Sequence, residues 1–473
     1  MPVPMPVPVF VLVALIACGP SQALRTSYSD LIQPAETCRE DGPRTVSPAE
    51  ANQDLDVFER LVRRGYAGFR FVPEDEWTRA FTQTRAALTE VDTPLALRDL
   101  LAERFAFLDD NHVGFWIYRD GERSWRGVGG HHQAYVGDLR FTPREGAYFA
   151  AGAARLVECA GFEHVVQPVW SAAGELVHRP VVLSRSALDA IECTFEADGE
   201  HEQRSIALAP LDLPAARGPA FEMLEAPFPW VRLRTLFTDR AGALDRFVES
   251  AAEVRDAPVV VLDLRRTGGG SDRYLIRWFG ALVRQDLQYW TRGRLTSEVV
   301  LQGGLNFWEC VRAANPTDAG GAAWIDARIE RAHRELDSAM RERGMFYDLD
   351  RRSPKVFGEG TFDGRLLVVT DRRCASACET AVLLARQVPG AVIVGENTGG
   401  VMKVGEMRRY RLPNSRVGVS LGHQSHEDPF GEFRESLGFV PDVWLDGNDP
   451  DQAIRAAAEC LARPECVLNL RGS

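Results

Sequence analysis

Lysine is nearly missing from this sequence. Of the 55 residues counted as Lys or Arg, only Lys355 and Lys403 are lysines. A mechanism with a lysine base therefore has few candidates. An excess of positive charge is missing too, because the net charge is −12 and the isoelectric point is near 5.4. Such a balance gives no electrostatic basis for binding nucleic acid or an anionic membrane surface.

Several motifs that would assign other functions are also missing. There is no Cys-x-x-Cys pair, and the cysteine spacings fit no zinc ribbon, so we expect neither a metal site nor a redox dithiol. No Gly-Lys-Ser/Thr follows the triple glycine at 268–270, which disfavours a phosphate loop. What remains is an ordinary globular composition, 45% hydrophobic and 26% charged. The chain has 473 residues, which is long enough for two or three domains.

The N-terminus reads as an export signal. The apolar stretch at 7–17 is too short to span a bilayer but has the length of a signal-peptide core. It ends in LIAC, which resembles a bacterial lipobox with Cys18 as the lipidated residue, while the sequence at 21–23 is a competing cleavage site. We predict a signal peptide at 1–23 and a periplasmic or outer-envelope lipoprotein of a bacterium. A misassigned start is the alternative.

The cysteine count agrees with export. The chain has nine cysteines. If Cys18 carries lipid, the remaining cysteines are even in number, as expected in an oxidising compartment. Cys460 and Cys466 are close enough in sequence to close a small C-terminal loop, and Cys159 with Cys193 is a plausible pair inside one small domain. The sequence alone does not fix the pairing.

Helical patterns follow a polar linker at 24–46. The sequence SPAE at 47–50 is a capping box with Pro at the first helical position, which marks a helix start. A small helical bundle is predicted over 47–125, with helices at 48–64, 75–91 and 94–108.

The rest of the chain divides into two regions. Residues 126–217 have short strand and turn patterns without a helical period, which predicts a small β-rich module. From 218 to 473 strands and helices alternate, as in α/β folds. A charged helical insertion is expected near 296–358.

One serine stands out at a predicted strand-to-helix turn. A buried-strand pattern at 364–370 is followed by a helical pattern at 377–388, and Ser376 lies between them. There its hydroxyl would be exposed, with the free N–H groups of the first helical turn nearby. The turn suits a nucleophile and also an ordinary helix cap. Flanking Cys374 and Cys378 are weaker nucleophile candidates.

Five short sequences in a fixed order resemble one enzyme family. Together they are similar to the tail-specific, or C-terminal-processing, serine proteases, particularly the branch related to the tricorn core and the retinoid-binding repeats. The resemblance covers roughly 50–120 and 220–450. It implies an α/β fold with a crotonase-like ββα core and peptide or protein substrates, without cofactor or metal. The five are LDDNHVG (108–114), VVLDLRRTGGG (260–270), CASACE (374–379), VIVGENTGG (392–400) and RESLGFVPD (434–442).

The resemblance also implies catalytic residues. Ser376 occupies the nucleophile position of the family's SAxE motif. His112 matches the histidine base of the tricorn-like branch. Another branch uses a lysine, but Lys403 is displaced by two residues from that position, which Val401 occupies, so we prefer His112.

A histidine base needs an acceptor on its other ring nitrogen. The resemblance implies Glu435, three residues before Gly438, with Glu432 and Asp428 as competitors.

The remaining roles concern the oxyanion. The N–H groups of Ala377 and of Gly268 or Gly269 are the expected donors, because glycine permits close backbone approach. Asp263 and Arg265 are expected to hold the glycine loop in place.

The sequence thus predicts an exported serine endopeptidase that works through an acyl-enzyme with a Ser-His-Glu arrangement. The main rival is a catalytically silent periplasmic peptide- or ligand-binding protein on the same scaffold. A Ser–Lys hydrolase using Lys403 is a third possibility. His423 and His426 could bind metal or shape the substrate mouth, but a solvated loop is the preferred interpretation.

Overall fold

Three helices open the part of the chain that the structure describes. The computed structural model describes residues 38–214, 218–225, 227–314, 319–342, 345–350, 354–463 and 466. The predicted signal peptide and Cys18 lie outside them. Ser47 and Glu50 form the predicted capping box, with each residue's backbone N–H donating to the other's side chain. The helices are α1 (Pro48–Gly65), α2 (Glu74–Ala87) and α3 (Pro94–Arg104).

These helices pack around a cluster of aromatic rings. Phe58 has no exposed surface, and its ring lies 5.0 Å from that of Phe105 and 5.3 Å from that of Phe115. Edge-to-face pairs of this kind each contribute about 0.5–1.5 kcal/mol beyond area burial. Because Phe115 belongs to the first strand, the helices rest on a sheet and not only on each other. The strands are β1 (Gly114–Arg119) and β2 (Glu122–Gly127).

Short strands fill the predicted β-rich region. They pair antiparallel with one another. They are β3 (Gln133–Gly137), β4 (Thr142–Arg144), β5 (Ala147–Phe149), β6 (Arg155–Cys159), β7 (Val166–Trp170), β8 (Leu176–Ser184), β9 (Ala190–Ala197) and β10 (Glu200–Pro210).

Strands and helices alternate after residue 218. The predicted strand at 364–370 and helix at 377–388 are present, but the helix ends at Ala385. The insertion near 296–358 contains two helices and then returns as a strand. The elements are β11 (Phe221–Leu224), β12 (Trp230–Leu233), α4 (Ala241–Val254), β13 (Val259–Asp263), α5 (Arg273–Leu282), β14 (Leu287–Gln288), β15 (Thr291–Thr296), α6 (Glu298–Ala314), α7 (Ala319–Glu342), β16 (Phe346–Asp350), β17 (Lys355–Val356), β18 (Arg365–Thr370), α8 (Ala377–Ala385), β19 (Val392–Gly395), β20 (Val404–Arg411), β21 (Gly418–Glu427), β22 (Val443–Leu445) and α9 (Pro450–Leu461).

A parallel sheet forms the centre of the fold. Strands β12, β13, β18, β19 and β22 run parallel, and β7 continues the sheet beside β22, so the β-rich region joins the core. Every residue of β13 is buried, as expected for a strand covered on both faces. Val260 and Leu262 face α4, α5 and α8, whereas Val259 and Val261 face α9.

A second sheet carries the histidine segment. Its order is β16-β15-β21-β1-β2, with β20 also paired to β21. Because His112 lies just before β1, this sheet brings the histidine to the end of β18, where the serine lies. No helix within the described ranges is long and apolar enough to cross a membrane.

Four disulfides join cysteines within the described residues. Cys159 pairs with Cys193 and Cys460 with Cys466. Cys374 pairs with Cys378 across the serine. The fourth bridge, Cys38–Cys310, joins the start of the described chain to α6 across 272 positions.

Candidate active site

Ser376 lies at a strained turn between β18 and α8. Its φ is +56°, in a region that non-glycine residues rarely occupy. Such strain, of order 1–3 kcal/mol, persists only where surrounding contacts enforce it. One of these contacts is the Ser376 N–H, which donates to Glu379 Oε2 at 3.0 Å. The turn therefore has the geometry of a nucleophile elbow.

His112 faces the serine hydroxyl. Ser376 Oγ lies 3.1 Å from His112 Nε2. On the other side of the ring, Nδ1 lies 2.7 Å from the carbonyl oxygen of Val404. A carbonyl only accepts, so Nδ1 carries the proton and Nε2 is left as the acceptor. This tautomer is the one that can remove the proton of Ser376.

Glu435 does not hold His112 as predicted. Its Oε2 accepts the N–H groups of Met402 at 3.0 Å and Lys403 at 2.7 Å. The Val404 carbonyl occupies Nδ1 of the imidazole instead. The predicted serine and histidine therefore meet, while the predicted carboxylate reaches the histidine only through the backbone at 402–404.

The competing carboxylates are engaged elsewhere. Glu432 pairs with Arg386 at 2.9 Å. The Asp428 carboxylate accepts N–H groups of its own turn, at Phe430 and Glu432.

Glu379 organises the loop that faces the serine. Its carboxylate also accepts from the Thr398 hydroxyl at 2.6 Å, Gly400 N–H at 2.7 Å and Val401 N–H at 2.9 Å. Burial raises the pKa of Glu379 to about 7, although these hydrogen bonds oppose the shift. The glutamate of the SAxE motif thus ties the nucleophile turn to residues 398–401.

The three predicted oxyanion donors differ in their surroundings. The N–H of Ala377 lies in the first turn of α8, where N–H groups lack helical acceptors. A Cβ on Gly269 would lie 3.2 Å from Ser376 Cβ, so this backbone approaches the nucleophile closely. Gly268 does not suit the role, because its N–H donates to the Arg373 carbonyl at 3.0 Å.

A buried ion pair fixes the base of the glycine loop. The Arg265 guanidinium donates to both oxygens of Asp263, at 3.0 and 2.8 Å, and also to Asp451 in α9 at 2.6 Å. Burial would raise the pKa of Asp263, but the hydrogen bonds and charge of Arg265 hold it well below its usual range. The pair lies directly before the glycine loop and links it to α9.

Asp371 joins the glycine loop to the nucleophile turn. Its carboxylate accepts the N–H groups of Arg266, Arg373 and Cys374, at 3.0, 3.0 and 3.1 Å from Oδ1. Sequence reasoning missed this role, although an aspartate directly after a buried strand is a usable signal for such a turn.

A histidine pair from the β-rich region anchors the loops around the site. The ring of His131 donates to the Gly399 carbonyl at 2.8 Å, and that of His132 to the Ser436 carbonyl at 3.0 Å. The neighbouring Gly130 carbonyl accepts from Asn111, beside His112. Nothing in the sequence motifs indicated this contact.

The structure places the remaining sequence candidates differently from the predictions. The Lys403 ammonium lies 5.3 Å from the ring centre of Phe71, so the Ser–Lys interpretation lacks its required contact. His423 and His426 are not in a solvated loop, because both are buried in β21. No group of three or more metal-binding side chains occurs among the described residues.

Comparison with known proteins assigns the family. Residues 230–445 match the model of peptidase family S41. The chain belongs to this family over that region, which contains Ser376 and is a little under half of its length. It is accordingly a serine peptidase, and its family implies peptide or protein substrates. No curated protein sequence matches it.

Several solved structures are similar to this S41 peptidase. Mature CPAF is 12% identical, with a TM-score of 0.48 over 89% of this chain and 97% of that one. The photosystem II D1 C-terminal processing protease is 15% identical, with a TM-score of 0.39 over 88% and 98%. A peptidase from Parabacteroides merdae, called putative in its description, is 14% identical, with a TM-score of 0.46 over 88% and 97%.

Proposed function

We propose that this S41 peptidase is an endopeptidase that cleaves through an acyl-enzyme on Ser376, with His112 as the general base. The observation that carries the proposal is the 3.1 Å contact between Ser376 Oγ and His112 Nε2. It is supported by the fixed tautomer of the ring, whose Nδ1–H donates to Val404.

The proposed reaction follows from this geometry. His112 Nε2 takes the hydroxyl proton as Ser376 Oγ attacks the peptide carbonyl carbon. The resulting oxyanion is bound by the N–H groups of Ala377 and Gly269. His112 then gives the proton to the leaving amine, which departs and leaves the acyl group on Ser376. In the second half of the reaction, His112 takes a proton from a water molecule as the water oxygen attacks the acyl carbon. The proton then returns to Ser376 Oγ, and the acid is released.

Hydrolysis of a denatured protein such as casein tests the proposal. We expect cleavage by the wild type and its loss in Ser376→Ala. Lys403→Ala serves as the control, because its ammonium lies over Phe71, and it should retain activity. A folded wild type that cleaves neither casein nor a mixed peptide library, or a Ser376→Ala variant that remains active, would overturn it.

Export as a lipoprotein is a second part of the proposal. It rests on the LIAC sequence ending at Cys18. It is supported by the pairing of the eight later cysteines in four disulfides, which is typical of oxidising compartments. Expression in a bacterium with radiolabelled palmitate tests it. Label should enter the wild type and be absent from Cys18→Ala, and an unlabelled, cytoplasmic wild type would contradict the proposal.

A further inference from the structure

Two carboxyl groups, the buried Asp110 and the half-buried Glu435, hold backbone N–H groups on the two segments that position His112. Asp110, 3% exposed, accepts the backbone N–H of His112 at 2.8 Å through Oδ1 and the hydroxyl of Tyr66 at 2.7 Å through Oδ2. Glu435 accepts the N–H groups of Met402 and Lys403 through Oε2 alone. Its Oε1 is buried and has no hydrogen-bond partner among the described residues.

These contacts favour a charged carboxylate at Asp110 and a protonated, uncharged carboxyl group at Glu435. Both oxygens of Asp110 face donors, which favours its ionised form. A bare carboxylate oxygen at Glu435 would be costly to bury, and a proton there replaces the cost of a buried charge with the smaller cost of a buried hydroxyl. Burial, and next the charge of Asp110, raise the pKa of Glu435 to about 9. Burial raises the pKa of Asp110 as well, but there the charge of His112 and the hydrogen bonds from Tyr66 and His112 oppose the shift.

Other titratable groups act on the same site. The charges of Asp110 and Glu435 contribute to the raised pKa of Tyr66. The charge of Glu379 contributes to the raised pKa of Glu435, and that of His112 to the lowered pKa of His426. Tyr66 and His426 are buried polar groups that bring no negative charge near neutral pH. The carboxylate best placed to face a protonated His112 is therefore that of Asp110.

We propose that Asp110, and not Glu435, supplies the negative charge that stabilises the His112 imidazolium, while Glu435 acts uncharged as a hydrogen-bond acceptor. In this role Glu435 fixes the backbone of Met402 and Lys403, and the next carbonyl, that of Val404, orients His112. Both are positioning residues. The inference rests on the proposed function, in which His112 is the base.

The proton balance is simple. Ser376 gives its proton to His112 Nε2, and the imidazolium carries one positive charge opposite the unchanged carboxylate of Asp110. The same proton then leaves on the amine of the departing peptide. Neither Asp110 nor Glu435 gains or loses a proton during the cycle.

Two isosteric variants test the inference. The readout is the rate constant for labelling by a fluorophosphonate, measured from pH 5 to pH 9 for Asp110→Asn and Glu435→Gln. Glu435→Gln should stay within about threefold of the wild type, because the amide oxygen still accepts both N–H groups. Glu435→Ala should fall further than Glu435→Gln. Asp110→Asn should fall by about ten- to hundredfold, and its acid limb should move to lower pH, because the imidazolium loses its counter-charge.

The opposite ranking overturns the inference. A loss of a hundredfold or more in Glu435→Gln, with Asp110→Asn near the wild type, would make Glu435 the charged partner. If Asp110→Asn does not fold, Glu435→Gln decides alone.

Thermal unfolding separates this inference from the proposed function. This measurement does not depend on catalysis. The melting temperature of Glu435→Gln should exceed that of the wild type, and the difference should grow from pH 5 to pH 9. The reason is that the unfolded wild type ionises Glu435 over this range while the folded protein keeps it protonated. An unlabelled wild type overturns the proposed function, whereas a margin that stays flat with pH overturns the placement of the proton on Glu435.

Discussion

Ser376 and His112 are 264 positions apart in the chain, and their side chains meet at 3.1 Å. The serine comes from the end of a parallel strand and the histidine from the turn that precedes the second sheet. Two different sheets of the molecule therefore contribute one residue each to the reactive pair.

Replacement of His112 should impair chemistry more than binding. His112→Ala removes the group that accepts the serine proton, and general-base catalysis contributes about 10²–10⁴-fold. We expect kcat to fall by that order while KM changes little. Steady-state kinetics on a fluorogenic peptide check this. A variant that keeps more than a third of the wild-type kcat would rule out His112 as the base.

A side chain at Gly269 should disturb the nucleophile. A Cβ there would lie 3.2 Å from Ser376 Cβ and 3.5 Å from its Oγ. We expect Gly269→Ala to lower kcat by about 10–100-fold, because the oxyanion donor and the serine shift apart.

Gly242→Ala is the matched control for this variant. Its added Cβ meets nothing within 4 Å and lies in a helix. It should leave kcat unchanged and stabilise the fold by roughly 0.5–1 kcal/mol. Equal activity of the two variants would contradict the assigned position of Gly269.

The Cys374–Cys378 bridge should matter for activity. It closes a loop around Ser376, and both cysteines have no exposed surface. Without it the strained turn has fewer restraints, so the double variant Cys374→Ala/Cys378→Ala should lose about tenfold in kcat or more with KM nearly constant. The comparison variant is Cys159→Ala/Cys193→Ala, whose bridge lies in the β-rich region, and its kcat should be unchanged. Similar losses in both would point to a general effect on stability.

Buried histidines should make the fold labile to acid. Burial, with smaller effects from His112 and Arg292, lowers the pKa of His426 to about 3. In the unfolded chain His426 binds a proton near pH 6.5, whereas in the folded chain it stays neutral until the pH is much lower. Stability from this residue is therefore complete above pH 6.5 and is lost as the pH falls toward 3, by up to about 1.4 kcal/mol per pH unit.

Urea unfolding between pH 7 and pH 4 measures this dependence. His426→Asn should flatten it, while His333→Asn, at an exposed helical position, should not. An unchanged slope in His426→Asn would show that the buried histidine does titrate in the folded state.

The helices, strands and turns that are determined by a short stretch of sequence could be predicted from that sequence. The apolar run of β13, the capping box at Ser47 and the strand-to-helix turn at Ser376 are short-range features, and their sequences specify them directly. The serine and histidine were found through the order of motifs, which reflects the family and not the geometry.

The contacts that could not be predicted are those set by tertiary packing. The partner of His112 Nδ1 is a backbone carbonyl, which every residue carries, so no motif marks Val404. The N–H of Gly268 already donates to the backbone carbonyl of Arg373. His426 lies in a polar sequence, GHQSHED, yet strand pairing buries it. Residue type alone does not report whether a polar group already has a partner.

The roles of Ser376 and His112 can be tested by labelling the folded protein with a fluorophosphonate and locating the adduct by peptide mass spectrometry. We expect one adduct per chain, on Ser376, with labelling slowed at least a hundredfold in His112→Ala and preserved in Lys403→Ala. An adduct on another residue, or labelling that does not depend on His112, would contradict it.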